Sequence, residues 1–251
     1  MTMKKYFLVL VLMLSSFCVF SQTDNTEPIV QTDSLPSRQE MMKKARKSYG
    51  PWMLSVGGGG ARWLAILPDS IDKQQKKYFN SLLWGYTIKG SAAYFLKFGL
   101  GFGFQYHAFH SKAKLDSSNY SALGGTRIVE RISMQFLATS IQYRHIKKNG
   151  SGYLNFGIGL GYFVYNDIAK LENNAKVIDK ISVTGKSIGV QIQASYNYRI
   201  DPRVSFGLGI GINNGILTNV KITEGNRTYT DTTMAGSLIH FDLHAKITII
   251  L

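Results

Sequence analysis

The chain has 251 residues, 18% of them charged and 12% aromatic, with 25 glycines, 5 prolines and a net charge of +14. Its mean hydropathy of −0.04 excludes a bundle of membrane-spanning helices, each of which needs about 20 consecutive apolar residues. Cys18 is the single cysteine, so a disulfide framework within the chain is excluded as well.

Lys4 and Lys5 give a basic start, Tyr6 to Leu14 an apolar core that runs on through Phe17, and Val19 and Ser21 the small-residue spacing of a cleavage before Gln22. Residues 1–21 are therefore expected to be a secretory signal peptide. Bulky Phe17 before Cys18 argues against lipidation of that cysteine. Without Lys4 and Lys5 the net charge is +12. For an exported chain this charge suits anionic lipid headgroups or internal ion pairing and excludes nucleic acid as the expected partner. Residues 22–50, with Pro28 and Pro36 among polar residues, read as a flexible periplasmic segment.

From Pro51 onward, eight strand-like segments are expected, near 51–67, 80–96, 97–112, 126–146, 151–169, 180–200, 203–222 and 232–251. The last shows the pattern best. Phe241, Leu243, Ala245, Ile247 and Ile249 alternate with His240, Asp242, His244, Lys246 and Thr248, and a period of two gives a strand two chemically opposite faces. Connections alternate between short turns, at Leu96-Lys97, Lys148 to Ser151 and Asp201-Pro202-Arg203, and long polar stretches near 68–79, 113–125, 170–179 and 223–231. That asymmetry suits the two ends of an up-and-down barrel in a membrane. The segments exceed the 9–11 residues or so that a crossing strand needs, so the barrel is expected to project on the long-loop side.

Three runs, beginning at Phe98, Phe156 and Phe206, share the pattern Phe-Gly-x-Gly-x-Gly at spacings of 58 and 50 residues. They assign the faces. Glycines gain nothing from facing solvent, but inside a narrow barrel they leave room for long side chains on neighbouring strands. The polar face therefore points inward, carrying Lys89, Arg131, Gln135, Gln191, Gln193, Arg199, His240, Asp242, His244 and Lys246. The apolar face, with Leu100, Phe102, Phe104, Ile132, Ile158 and Leu208, points to lipid. Trp52, Trp84, Tyr86, Tyr106, Tyr153, Tyr162, Tyr196 and Tyr198 are expected in aromatic belts at its edges. Residues 126–146 break the parity, and a bulge near Phe136–Ala138 is expected to restore it.

With its signal sequence, alternating segments, Phe-Gly-x-Gly-x-Gly runs and long loops, the chain resembles the small outer-membrane β-barrel (porin-like) proteins that share the architecture of the OmpA-barrel, OmpX and OmpW families. The resemblance covers residues 51–251. It implies an all-β, eight-stranded antiparallel up-and-down transmembrane β-barrel in the outer membrane of a Gram-negative bacterium, inserted by the barrel-assembly machinery. Leu251 stands where such barrels typically end in Phe or Trp. The families include anchors, adhesins, narrow pores and assembly factors, so the resemblance selects no single activity.

His240-x-Asp242-x-His244 is the sharpest cluster. Neighbours on one strand face lie about 6.5–7 Å apart, too far for all three to reach one ion at about 2 Å. No metal site or cofactor is expected; the lumen set Lys89, Arg131, Gln191, Gln193, His240, Asp242, His244 and Lys246 reads as a structural polar network or the lining of a narrow conduit. Nucleophilic catalysis fares no better. Ser237 has the outward parity while His240 and Asp242 face inward, so no proton passes between them; His110 with Ser111 is the only other pair. The expected protein is thus a non-enzymatic, monomeric membrane anchor with recognition in its loops. The alternatives are a narrow passage for small or apolar solutes, or an accessory factor of a secretion or assembly machine with a periplasmic or extracellular protein partner.

Overall fold

A computed structural model describes residues 49–65, 73–116, 126–148, 150–173, 176–217, 219–231 and 236–251. The expected signal peptide and most of the segment 22–50 lie outside the described residues. Eight strands form a ring. They are β1 (Trp52–Trp63), β2 (Trp84–Phe95), β3 (Leu100–Asp116), β4 (Thr126–Ile146), β5 (Gly152–Asn173), β6 (Lys176–Asp201), β7 (Val204–Leu217) and β11 (His240–Ile250). Every neighbour pairs antiparallel, and β11 closes on β1 with Met53 opposite Ile250 and Trp63 opposite His240. Between β7 and β11 lie three short strands: β8 (Val220–Glu224), β9 (Arg227–Asp231) and β10 (Gly236–Ser237). β8 pairs with the upper part of β6, and β9 with β8 across a turn at Gly225, whose φ of 53° suits glycine.

The faces divide as the glycines require. A Cβ on Gly209 would stand 2.6 Å from His244 Nε2, one on Gly211 2.6 Å from Asp242 Oδ2, and one on Gly207 2.3 Å from Asn197 Oδ1. Outside, Leu54, Phe104, Ile158, Ile192, Leu208 and Leu243 are exposed. This apolar band ends at polar outward residues: Arg62, His110, Gln135, Lys186 and Asn214 at the long-loop end, and Lys97, Lys147 and Arg203 at the short-turn end. Trp52, Tyr94 and Tyr198 ring the short-turn edge, and Trp84, Tyr86 and Tyr162 ring the other. Tyr153 is not in the belt: it is fully buried inside.

The stretches near 170–179 and 223–231, expected as long polar connections, are mostly strand, belonging to β5 and β6 and to the β8–β9 hairpin. Two further departures from the sequence expectation concern β4 and the first long loop. β4 runs in unbroken register from Thr126 to Ile146 against both neighbours, with no bulge. Ile132, Met134, Phe136 and Ala138 consequently point inward, and Arg131 and Gln135 outward. The reason is that the lumen's upper part is apolar. Residues expected as polar connection (73–79) and as the start of the second strand (80–83) form a helix, α1 (Lys73–Leu83), before β2 begins. Its Tyr78, Leu82 and Leu83 are buried, and Tyr78 and Leu82 join Ala61, Phe109, Met134, Phe136, Phe163 and Leu238 in one apolar cluster. Apolar parity on upper β4 therefore marks contact with this plug and not with lipid.

β4, β5 and β6 continue well above the band. The ten residues from Gln135 up to Thr126 alone add roughly 30 Å of strand. With upper β3, β8 and β9 they make a projecting sheet in the order β3-β4-β5-β6-β8-β9.

Candidate functional site

The lumen between the two ends of the barrel is the place where charged groups are gathered. β11 supplies them because its even-numbered residues all face inward. Asp242 lies at the centre. Lys89 Nζ on β2 is 2.7 Å from Asp242 Oδ1, and His244 Nδ1 approaches the same oxygen at 2.7 Å. Asn213 Nδ2 donates to Asp242 Oδ2 at 3.4 Å, and His107 Nε2 on β3 stands 3.9 Å from that oxygen. Above this, His240 Nδ1 is 3.0 Å from the Leu238 carbonyl and its Nε2 is 3.2 Å from His107 Nδ1. The carbonyl can only accept, so His240 Nδ1 donates to it. The two rings stack at 4.8 Å.

Of the residues expected in the lumen, Lys89, Gln191, His240, Asp242, His244 and Lys246 are buried there and Gln193 is half-buried. Arg131 and Gln135 are the exceptions and are corrected: both are exposed on the outer side of β4, Arg131 opposite Lys112 of β3, because the strand keeps its register through the position where a bulge was expected. Sequence reasoning missed His107, Gln105, Gln142, Arg144, Asn155, Asn197 and Asn213, all buried in the same interior. Their inward parity on β3 to β7 was the signal that could have found them. Among the described residues, no group of three or more His, Cys, Asp or Glu side chains is arranged to hold a metal ion.

Both ends of this polar layer are closed by side chains. At the short-turn end Tyr49, Met53, Ala93, Phe95, Tyr153 and Ile250 pack together. Tyr49 belongs to the segment that the sequence marks as a polar linker, yet its hydroxyl donates to the Gly150 carbonyl at 3.1 Å and its ring meets Tyr153 edge-on at 5.6 Å. Arg144 lies over Phe95 at 4.4 Å and donates to the Gly50 carbonyl at 3.1 Å. At the other end Phe136 and Phe163 stack at 4.3 Å beneath α1. Tyr78 of α1 donates its hydroxyl to Glu130 of β4. Asp167 of β5 lies beside that pair and accepts from Tyr165 at 3.4 Å. Burial, and after it the neighbouring Glu130 carboxylate, push Asp167 up to about 7. A concavity of about 770 Å³ lies elsewhere, on the outer wall among Trp52, Phe102, Ile141 and Phe156; it is part of the lipid-facing band.

The serine and histidine candidates stay apart. Ser237 is exposed while His240 is fully buried, and Ser111 is turned inward while its neighbour His110 is turned out.

The sequence matches no protein-family model and no curated protein. Among solved structures, a major outer membrane protein from Thermus thermophilus is similar in fold, with a TM-score of 0.53 and 12% identity over 80% of this chain and 99% of that one. The fold is that of a small outer-membrane β-barrel. Looser similarities, each covering 80% of this chain and 97% of the other, extend to Neisserial surface protein A (TM-score 0.43, 13% identity) and to the outer membrane protease OmpT of Escherichia coli (TM-score 0.42, 9% identity). The apolar belt between two aromatic rings gives this small barrel its membrane-facing surface, and the closed ring leaves no strand edge unpaired in lipid.

Proposed function

We propose that the barrel is a non-enzymatic anchor that displays a recognition surface outside the outer membrane, after export under a cleaved signal peptide in a Gram-negative bacterium. The observation that carries this reading is the pairing of a lumen closed at both ends with strands that outrun the bilayer. Eight strands leave an interior only wide enough for side chains, and here aromatic clusters lie above and below the charged layer. The chain instead invests its length in β3 to β6 and the β8–β9 hairpin, whose upper faces carry Lys112, Lys114, Lys180, Lys221 and Arg227 beside Asp179, Glu172 and Glu224. A mixed-charge, ordered sheet is suited to a protein or glycan partner. Membrane lipids and the assembly machinery are its other partners in this reading, and the barrel acts as a monomer.

The narrow-passage reading is separated by recording in planar lipid bilayers. The expected trace has no reproducible conductance steps. Steady steps from the intact chain, enlarged when residues 66–83 are replaced by a short linker, would instead favour a conduit gated by α1.

A further inference from the structure

The charged layer of the lumen does not balance. Among the described residues facing the lumen within the membrane band, Asp242 is the one acid; the layer around it holds two lysines, Lys89 and Lys246, and Arg144 lies apart from them at the short-turn end. Lys89 takes up that carboxylate at 2.7 Å. Lys246 is 8% exposed and its ammonium group has no hydrogen-bond or ion-pair partner among the described residues. With every histidine neutral, the layer still holds one surplus positive charge, and a buried charge without a counter-charge is costly.

A small cavity adjoins it. It measures about 20 Å³, and its walls include Ser55, Lys89, Gln105, Gln191, His244 and Lys246. That is room for one atom-sized guest, and it is too small for a phosphate or a carboxylate. Gln105 Nε2 is buried and lacks an acceptor, and Gln191 Oε1 is buried and lacks a donor. Ser55 already shares its hydrogen bond with Thr248 at 2.8 Å. The groups without a partner at the cavity thus include two donors, the Lys246 ammonium and the buried Gln105 amide N–H₂, beside the buried Gln191 amide oxygen.

We propose that this cavity is a binding site for a single halide-sized inorganic anion, held by Lys246 and Gln105 and supplying the counter-charge that the lumen lacks. A chloride there neutralises Lys246 and accepts from the Gln105 amide. A water molecule satisfies hydrogen bonds but leaves the charge in place. Because aromatic side chains close the lumen on both sides, the ion enters when the barrel forms and exchanges slowly afterwards.

The test is to refold the full chain from denaturant into detergent with bromide as the sole halide and to crystallise it. An anomalous bromine peak inside the lumen, within hydrogen-bonding reach of Lys246 Nζ, is expected. In parallel, the chain refolded in sodium gluconate should melt several degrees below the chain refolded in sodium chloride at equal ionic strength, since a ligand of the folded state alone raises its stability. Lys246→Met should abolish that difference. Bromide found only on the surface, or identical melting in the two salts, would overturn the proposal and assign the cavity to water. If Lys246→Met fails to fold, the bromide map and the two-salt comparison on the unaltered chain decide by themselves.

Discussion

Asp242 organises the barrel interior through its close contacts to Lys89, His244 and Asn213, of which only His244 lies on its own strand. Removing one member of a buried ion pair leaves the other charge stranded, which costs about 3–5 kcal/mol, whereas replacing both by apolar residues is often neutral. Asp242→Leu should therefore lower the urea midpoint of the barrel in lipid vesicles by a corresponding amount, and Lys89→Met in the same chain should restore most of it. A double variant no more stable than Asp242→Leu would show that Lys89 is not the main partner. The pair was half legible in the sequence. Both residues had inward parity and Asp242 was almost the only acid in the wall, but the choice among Lys89, Lys246 and the histidines needed the register of β2 and β11 against their neighbours.

α1 is the element that sequence periodicity did not reveal, because eleven residues with Tyr78, Phe79, Leu82 and Leu83 at helical spacing sit inside a lysine- and glutamine-rich loop. Its attachment is tied to pH. Tyr78 binds Glu130, and Asp167 faces Glu130 and Tyr165. Asp167 holds its proton up to about 7 in the folded protein against an ordinary value of 3.8. When α1 lifts away, the acid is rehydrated and releases that proton. Between those two values the closed form binds more protons than the open one, so closure is most stable below the lower value and weakens until the upper one is passed. Amide hydrogen exchange in α1, corrected for its intrinsic pH dependence, should thus become less protected from roughly pH 5 to pH 8. Asp167→Asn should flatten that dependence. An unchanged profile in the variant would rule out Asp167 as its source.

At the scale of the whole molecule the barrel and its projecting sheet draw on different contacts. The ring is complete without β8 and β9, since β6 pairs directly with β7 over Gly189–Asp201 and β7 with β11 over Val204–Asn213. Replacing residues 218–235 with a short turn should leave the heat-modifiable gel mobility and the strand signal of the folded barrel unchanged, while removing any surface binding that the intact protein shows. Loss of the folded band in that variant would mean that the sheet helps to close the barrel and is more than an appendage.

The sequence by itself determined the ring of strands, the end with short turns and the lipid-facing side, because a period of two and glycines set against long polar residues are local signals that one membrane-embedded wall converts directly into faces. It also marked β11 as the donor of the charged layer. Only the tertiary structure decided what fills the two ends of the lumen. Tyr49 and α1 are remote in sequence from the side chains they pack against, and their insertion makes the inside apolar just where β4 shows apolar residues. Parity on a strand says that a residue faces away from its neighbour; whether that side meets lipid, water or a plug depends on what else the chain folds against it.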